Sequence, residues 1–171
     1  QDHPGEPFFG WVHLFDPHHP YAPPGEFGET WAKRPYLGEV AFVDAQIAVL
    51  LEALEQLGVA DQAAVMIAGD HGEAFGNHGE HQHGIFVYNA TMHVPLILAP
   101  AGGMEPVMIE EAVGLIDVAP TLVAVAGLDA SDAASAFDGV DLSGGLRGEE
   151  PERRALYGES NYVRYHFGWS E

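Results

Sequence analysis

The sequence predicts an α/β fold, in which helices cover both faces of a mostly parallel β-sheet. Two apolar stretches, residues 8–15 and 63–68, have the pattern of buried strands. Between them, residues 35–57 repeat apolar side chains at the spacing of an amphipathic helix, and Gly58 is a typical stop signal. A strand, a helix and a strand in this order favour a right-handed βαβ unit, whose two strands are parallel.

Two later segments extend this prediction. Residues 93–99 are mainly apolar and stop at Pro100, which favours a further strand. Residues 120–126 follow Asp117 and begin with proline, as the first turn of a helix often does.

Composition excludes several classes of function. The chain of 171 residues has the size of one domain, and 47% of its residues are apolar. Six basic against 26 acidic residues give a net charge of −20, which argues against binding to nucleic acid or to anionic lipid. No apolar run is long enough to span a membrane, and without cysteine no disulfide can form. An anionic substrate would need a metal ion and local donors to hold it.

The stretch from Asp70 to His83 holds four histidines and three acidic residues within fourteen positions. Asp70 and His71 directly follow the predicted strand 63–68, and both side chains are ligand types for a divalent cation. The C-terminal end of a strand is also where α/β proteins usually place their sites. Two alternatives stay open: a zinc site made by His78, His81 and His83, and a solvated glycine-rich loop without function.

A second polar cluster follows the predicted strand 8–15. Asp16, His18 and His19 lie among prolines that prevent the strand from continuing and impose an irregular loop. Because the carboxyl ends of parallel strands meet at one edge of a sheet, we expect His18 and Asp70 to converge on one cleft.

The order of these residues resembles the C-terminal part of the sulfatase family, in the alkaline-phosphatase-like superfamily. The resemblance implies an alkaline-phosphatase-like sandwich and a partial domain: residues 1–171 would be the C-terminal portion of a single catalytic domain whose upstream part is absent from this sequence. The matching segments are 11–18 with Tyr21, Tyr36 with 39–40 and Asp44, 69–73 with Gly76, 78–79 and 83–84, then 94–97 and 117–122.

The resemblance implies a metal-dependent sulfuric ester hydrolase acting on a small-molecule or glycan sulfate or phosphate ester. Asp70 and His71 match a pair of metal ligands, and His18 and His83 match residues that contact the ester, which makes them the catalytic candidates. Asp16 and His78 are further candidates for binding the substrate.

Two departures from the family pattern bear on chemistry. The metal pair is Asp-His instead of Asp-Asn, and mixed oxygen and nitrogen ligands favour Mn, Zn or Fe, with Ca as the alternative. Relatives with Asp-His include phosphonate monoester hydrolases and phosphoglycerol transferases, so a phosphonate or phosphodiester hydrolase or such a transferase is the alternative function.

The family's nucleophile motif, Cys or Ser followed by x-Pro-x-Arg, does not occur in the sequence. We therefore assign no nucleophile and expect this chain to carry half of an active site and to be inactive alone. The alternative from another class of protein is a non-catalytic acidic metal-binding module.

Overall fold

The long predicted helix is present in the computed structural model, which describes residues 5–129 and 137–168. It spans Pro35–Gln56 and is named α2; proline at its first position fits, because its missing N–H has no partner in the first turn. Gly58, with a φ of 68°, follows its end. No helix in the described ranges has the length and apolar character needed to cross a bilayer.

The chain divides into two compact units, Gln1–Gln56 and Leu57–Glu171. In the first unit, a short helix α1 precedes α2. Phe27 of α1 and Phe42 of α2 make an edge-to-face contact, with ring centroids 5.6 Å apart. The elements of the second unit are β1, α3, β2, α4 and α5. The helices and strands other than α2 span Gly25–Thr30 for α1, Val65–Ala68 for β1, Asn89–Met92 for α3, Leu96–Ala99 for β2, Val118–Val125 for α4 and Tyr162–Phe167 for α5. Short 3₁₀ turns occur at Ala60–Gln62, Asn77–Gly79, Leu115–Asp117 and Ser143–Arg147.

The predicted parallel pairing is wrong for the two strands that form. β1 and β2 pair antiparallel, with Val65 opposite Ala99 and Ala68 opposite Leu96. A parallel pair needs a crossover, usually through a helix that packs on the sheet. Here the connection from β1 to β2 contains only a 3₁₀ turn and the four-residue helix α3, and it brings the chain back beside β1 in the opposite direction.

The strand predicted at residues 8–15 is also absent. A strand needs a neighbour that accepts and donates its main-chain hydrogen bonds, and the sheet found in the described residues contains only β1 and β2. The apolar side chains of the segment are accordingly exposed: 66% for Phe8, 75% for Phe9, 74% for Trp11, 59% for Val12 and 68% for Phe15. The predicted unit of strand, helix and strand is therefore not formed, and sequence periodicity detected the apolar character of this segment but not its pairing.

Asp117 organises the second half of the Leu57–Glu171 unit. Its side chain is completely buried and accepts hydrogen bonds from the main-chain N–H of Gly114 at 2.8 Å and of Val140 at 2.9 Å. The guanidinium of Arg154 donates a third bond to the same carboxylate. A buried carboxylate is tolerated because these donors replace the water that it loses.

Substitution of Arg154 by alanine should therefore destabilise the protein. It leaves the Asp117 charge with only its main-chain donors, and we expect a loss of about 1–3 kcal/mol because Arg154 is itself partly exposed. The matched control is Arg153→Ala: Arg153 is 90% exposed and 3.7 Å from Glu111, so the loss should stay below about 1 kcal/mol. Denaturant unfolding measures both, and equal losses would show that the buried pair is not stabilising.

Candidate active site

Asp70 and His71 lie directly after β1, as the sequence predicts. One carboxylate oxygen of Asp70, Oδ1, accepts the main-chain N–H of His71 at 2.9 Å. The Nδ1 of His71 lies 3.0 Å from the carbonyl oxygen of Gly72. A carbonyl can only accept, so this contact assigns the proton to Nδ1 and leaves Nε2 as the ligating nitrogen of the neutral ring.

The remaining donor atoms of this pair fit a divalent cation. Nε2 of His71 and Oδ2 of Asp70 lie 3.8 Å apart. Bonds of roughly 2.0–2.2 Å to nitrogen and carboxylate oxygen let one ion bind two atoms up to about 4 Å apart. Both side chains are accessible, with 40% and 83% of their surfaces exposed. Within residues 5–129 and 137–168 no three or more His, Asp or Glu side chains are placed to share one metal ion, so a cation at this pair would need further ligands.

His83 is held against this pair. Its ring lies over the ring of His71, with centroids 3.9 Å apart and planes inclined by 31°. Its Nδ1 lies 3.3 Å from Oε1 of Glu73, whose side chain is 7% exposed. Since the carboxylate accepts, Nδ1 of His83 donates the proton. Glu73 therefore fixes the tautomer and the orientation of His83, in the way that carboxylates orient catalytic and metal-bound histidines.

Main-chain hydrogen bonds fix the segment that carries these groups. Gly69 donates to the carbonyl of Pro95 at 3.1 Å, and Gly72 donates to that of Thr91 at 2.7 Å. Gly72 must be glycine, because a Cβ there would collide with the carbonyl oxygen of Ala90 and lie 3.3 Å from the Cα of Thr91. The segment between Asp70 and His83 is thus tied to the residues that precede β2.

A tight turn then returns the chain so that His83 reaches Glu73. Phe75, Gly76, His78 and Gly79 all have positive φ, which is uncommon for residues with a side chain. The ring of His78 stacks on Tyr88, with centroids 3.7 Å apart and an angle of 18° between the planes. In the described part of the chain, His78, His81 and His83 do not form a zinc site, and the ring of His78 contacts Tyr88 instead of His71 or His83.

His18 and Asp16 lie in the first unit, in the irregular loop predicted by its prolines. The main-chain N–H of His18 donates to Oε2 of Glu39 on α2 at 3.0 Å. Nδ1 of His18 lies 2.7 Å from the carbonyl oxygen of His19, and the ring lies 4.5 Å from that of Phe15. Asp16 is half-buried and precedes a cis peptide bond to Pro17. His18 and Asp70 belong to different units, and their convergence stays a prediction.

Comparison with known proteins shows the family of this chain. The model of the sulfatase family matches residues 1–128.

The chain belongs to the sulfatase family.

The similar proteins include proteins named as sulfatases and one named as a phosphonate monoester hydrolase. Arylsulfatase K from Bos taurus is 31% identical over 93 residues, which are 54% of this chain and 17% of that protein. Choline-sulfatase from Rhizobium meliloti is 25% identical over 135 residues, 77% of this chain and 26% of that protein. The structure of phosphonate monoester hydrolase SpPMH from Silicibacter pomeroyi superposes with a TM-score of 0.58 and 27% identity, covering 79% of this chain and 28% of that one. The stretch matched in this sulfatase-family chain therefore spans 17% to 28% of the length of these three proteins.

Sequence reasoning on this sulfatase-family chain missed the roles of three glutamates: Glu39, Glu73 and Glu80. A signal for Glu39 existed, because it lies four residues before Val43 and eight before Ile47, on the apolar stripe of α2. An acid on an apolar stripe predicts a buried carboxylate with donors nearby. Glu73 and Glu80 lie in a segment without periodicity, so only the fold reveals their partners.

Substitution of Gly72 by alanine should destabilise the site segment. The added Cβ forces Gly72 away from Ala90 and disrupts its bond to Thr91, and overpacking of this kind typically costs about 1–3 kcal/mol. Gly10→Ala is the matched control, because its Cβ meets no atom within 4 Å, and we expect a change within about 0.5 kcal/mol. Denaturant unfolding of both variants checks this, and a silent Gly72→Ala would contradict the packing at Ala90.

Proposed function

We propose that this chain carries one half of the active site of a metal-dependent sulfuric ester hydrolase. The observation that carries the proposal is the group formed by Asp70, His71, Glu73 and His83. Two ligand atoms lie 3.8 Å apart, and the ring of a carboxylate-oriented histidine lies over the ring of His71. Membership in the sulfatase family and the sulfatase names of its relatives support the choice of ester.

In this proposal Asp70 Oδ2 and His71 Nε2 hold a divalent cation. When bound, the cation supplies Lewis-acid polarisation of the ester oxygens and lowers the pKa of a nucleophile. The rest of the chemistry belongs to side chains. Nδ1–H of His83 donates a hydrogen bond to Glu73. When the ring is charged, Nε2–H of His83 donates a hydrogen bond or a proton to an ester oxygen. Glu73 compensates that charge at 3.3 Å.

The first unit contributes the second histidine of the proposal. Nδ1 of His18 donates to the carbonyl of His19, so its Nε2 is the atom assigned to the ester. Asp16, in the same loop, and His78, stacked on Tyr88, are assigned weaker substrate contacts.

The nucleophile is assigned outside this sequence. The relatives are several times longer than the stretch matched here, and the nucleophile motif Cys or Ser, x, Pro, x, Arg is absent from the 171 residues. In this proposal residues 1–171 are the C-terminal portion of one catalytic domain, and the rest of that domain supplies the nucleophile and the other metal ligands. The chain alone should hydrolyse no ester.

A second candidate function is hydrolysis of a phosphonate or phosphodiester. It is favoured by the structural similarity to SpPMH, a phosphonate monoester hydrolase, together with the Asp-His pair at residues 70 and 71. Both reactions require the same cation and the same charge stabilisation around a tetrahedral anion, so the group at Asp70 serves either one. Relative turnover of 4-nitrophenyl sulfate and of a 4-nitrophenyl phosphonate monoester by the full-length protein decides between them.

Asp70→Ala in the full-length protein should remove both metal and activity. Loss of an ion that supplies several kcal/mol of charge stabilisation corresponds to a decrease in kcat of about 10³-fold or more. The matched control is Asp61→Ala, an exposed acid in the 3₁₀ turn before β1, which should keep both. Elemental analysis measures the metal and ester turnover measures the activity. Retained activity in Asp70→Ala would refute the proposal, and bound metal without any ester turnover in the unsubstituted protein would favour the non-catalytic metal-binding module.

The Asp-His pair also predicts which metal is present. Imidazole nitrogen suits Mn, Zn or Fe better than Ca, which takes almost only oxygen ligands. We expect a transition metal in full-length protein purified without chelator, and His71→Asn should weaken its binding and favour Ca. Stoichiometric Ca in the unsubstituted protein would contradict this assignment.

A further inference from the structure

Two buried glutamates have no role in the chemistry described above. Glu39 is 2% exposed and Glu80 is 6% exposed, and each belongs to a different unit of the chain. Glu39 contacts the loop that carries His18, and Glu80 is the first residue of the loop that carries His83. We name these loops the His18 loop, residues 16–24, and the His83 loop, residues 80–86.

The carboxylate of Glu39 holds the His18 loop at two points. Its Oε2 accepts the main-chain N–H of His18 at 3.0 Å, and its Oε1 accepts that of Ala22 at 2.5 Å. An aromatic contact also holds the loop against α2: the ring of Tyr21 packs edge to face on that of Tyr36, with centroids 5.5 Å apart. The loop has no helix or strand of its own, so these side chains replace a regular hydrogen-bond ladder.

The carboxylate of Glu80 holds the His83 loop in the same manner. Its Oε1 accepts the main-chain N–H of Ile85 at 2.7 Å, and its Oε2 accepts that of Phe86 at 3.2 Å. The carboxylate thereby closes the loop from its first residue to its end and constrains His83 between those points. Ser160 adds a bond from its hydroxyl to the carbonyl of Gly84.

The bonding pattern favours a structural role for Glu39 and Glu80 over a role as metal ligands. In both residues each carboxylate oxygen already faces a different main-chain donor, and the side chain is buried. Two acceptor oxygens that each bind one N–H group require a carboxylate, because glutamine cannot supply both acceptors. Its NH₂ group would face an N–H donor at one of the two positions.

We propose that Glu39 and Glu80 are positioning residues, which fix the main chain around His18 and His83 so that each imidazole is presented to the substrate. The inference rests on the proposed function for the role of the two histidines, but the loop contacts themselves do not depend on it. Neither glutamate touches the reacting atoms in this account; each acts through the histidine of its own loop.

The experiment compares Glu39→Gln and Glu80→Gln in the full-length protein by amide hydrogen exchange, metal analysis and kinetics. A main-chain N–H that loses its acceptor should exchange on the order of 10-fold faster. We expect this at His18 or Ala22 for Glu39→Gln, and at Ile85 or Phe86 for Glu80→Gln, in each case at the amide that faces the NH₂ group of the new glutamine. Each variant is thus a control for the other, and the exposed Glu52→Gln and Glu105→Gln should change neither loop.

Kinetics separates positioning from general destabilisation. If the glutamates position the histidines, kcat for the better of 4-nitrophenyl sulfate and a phosphonate monoester should fall about 10-fold or more, while the metal content stays unchanged. Exchange that is unchanged, or that increases equally at amides throughout the protein, would overturn the proposal, and so would local exchange with undiminished kcat. If the unsubstituted protein hydrolyses neither ester, the proposed function fails, and the exchange at these four amides still decides whether the glutamates hold the loops.

Discussion

Hydrogen bonds from main-chain amides to buried carboxylates hold the irregular parts of this chain in place. Glu39, Glu80 and Asp117 are all buried, and the two oxygens of each accept donors from residues outside any helix or strand. Burial of a carboxylate without hydrogen-bond donors costs free energy, and so does burial of main-chain amides without acceptors. Each carboxylate satisfies both requirements, so the loop and the acid are stable only together.

This constraint explains how a chain with so little regular structure presents chemical groups in defined positions. Among the described residues only one hydrophobic side chain, that of Ala74, is buried. Packing alone therefore does not fix the segments around His18 and His83. The same chemistry recurs at Glu73, which orients the ring of His83, and at Asp70, which accepts the N–H of His71. In a chain of net charge −20, acidic side chains have a structural role as well as an affinity for cations.

Sequence patterns identified the long helix, the strand before Asp70 and the strand after Val94, because their apolar spacing and their glycine and proline boundaries are local signals. Pairing is not a local property: the segment at residues 8–15 has the composition of a strand but no partner in the described sheet, and β1 pairs with β2 antiparallel instead of parallel. The adjacency of Asp70 and His71 is visible in the sequence itself. His83, whose ring contacts that of His71, meets Glu73 because positive φ at Phe75 and His78 turns the chain back.

The central claim is that Asp70 and His71 bind one cation and that His83 stands beside the bound ester. Anomalous diffraction from crystals of the full-length protein, loaded with Mn²⁺ and with inorganic sulfate as a product, tests this most directly. The account predicts a manganese peak about 2.0–2.3 Å from both Asp70 Oδ2 and His71 Nε2, with a sulfate oxygen in hydrogen-bond contact with His83 Nε2. Manganese bound elsewhere, or sulfate bound away from His83 while the metal lies at Asp70, would contradict it.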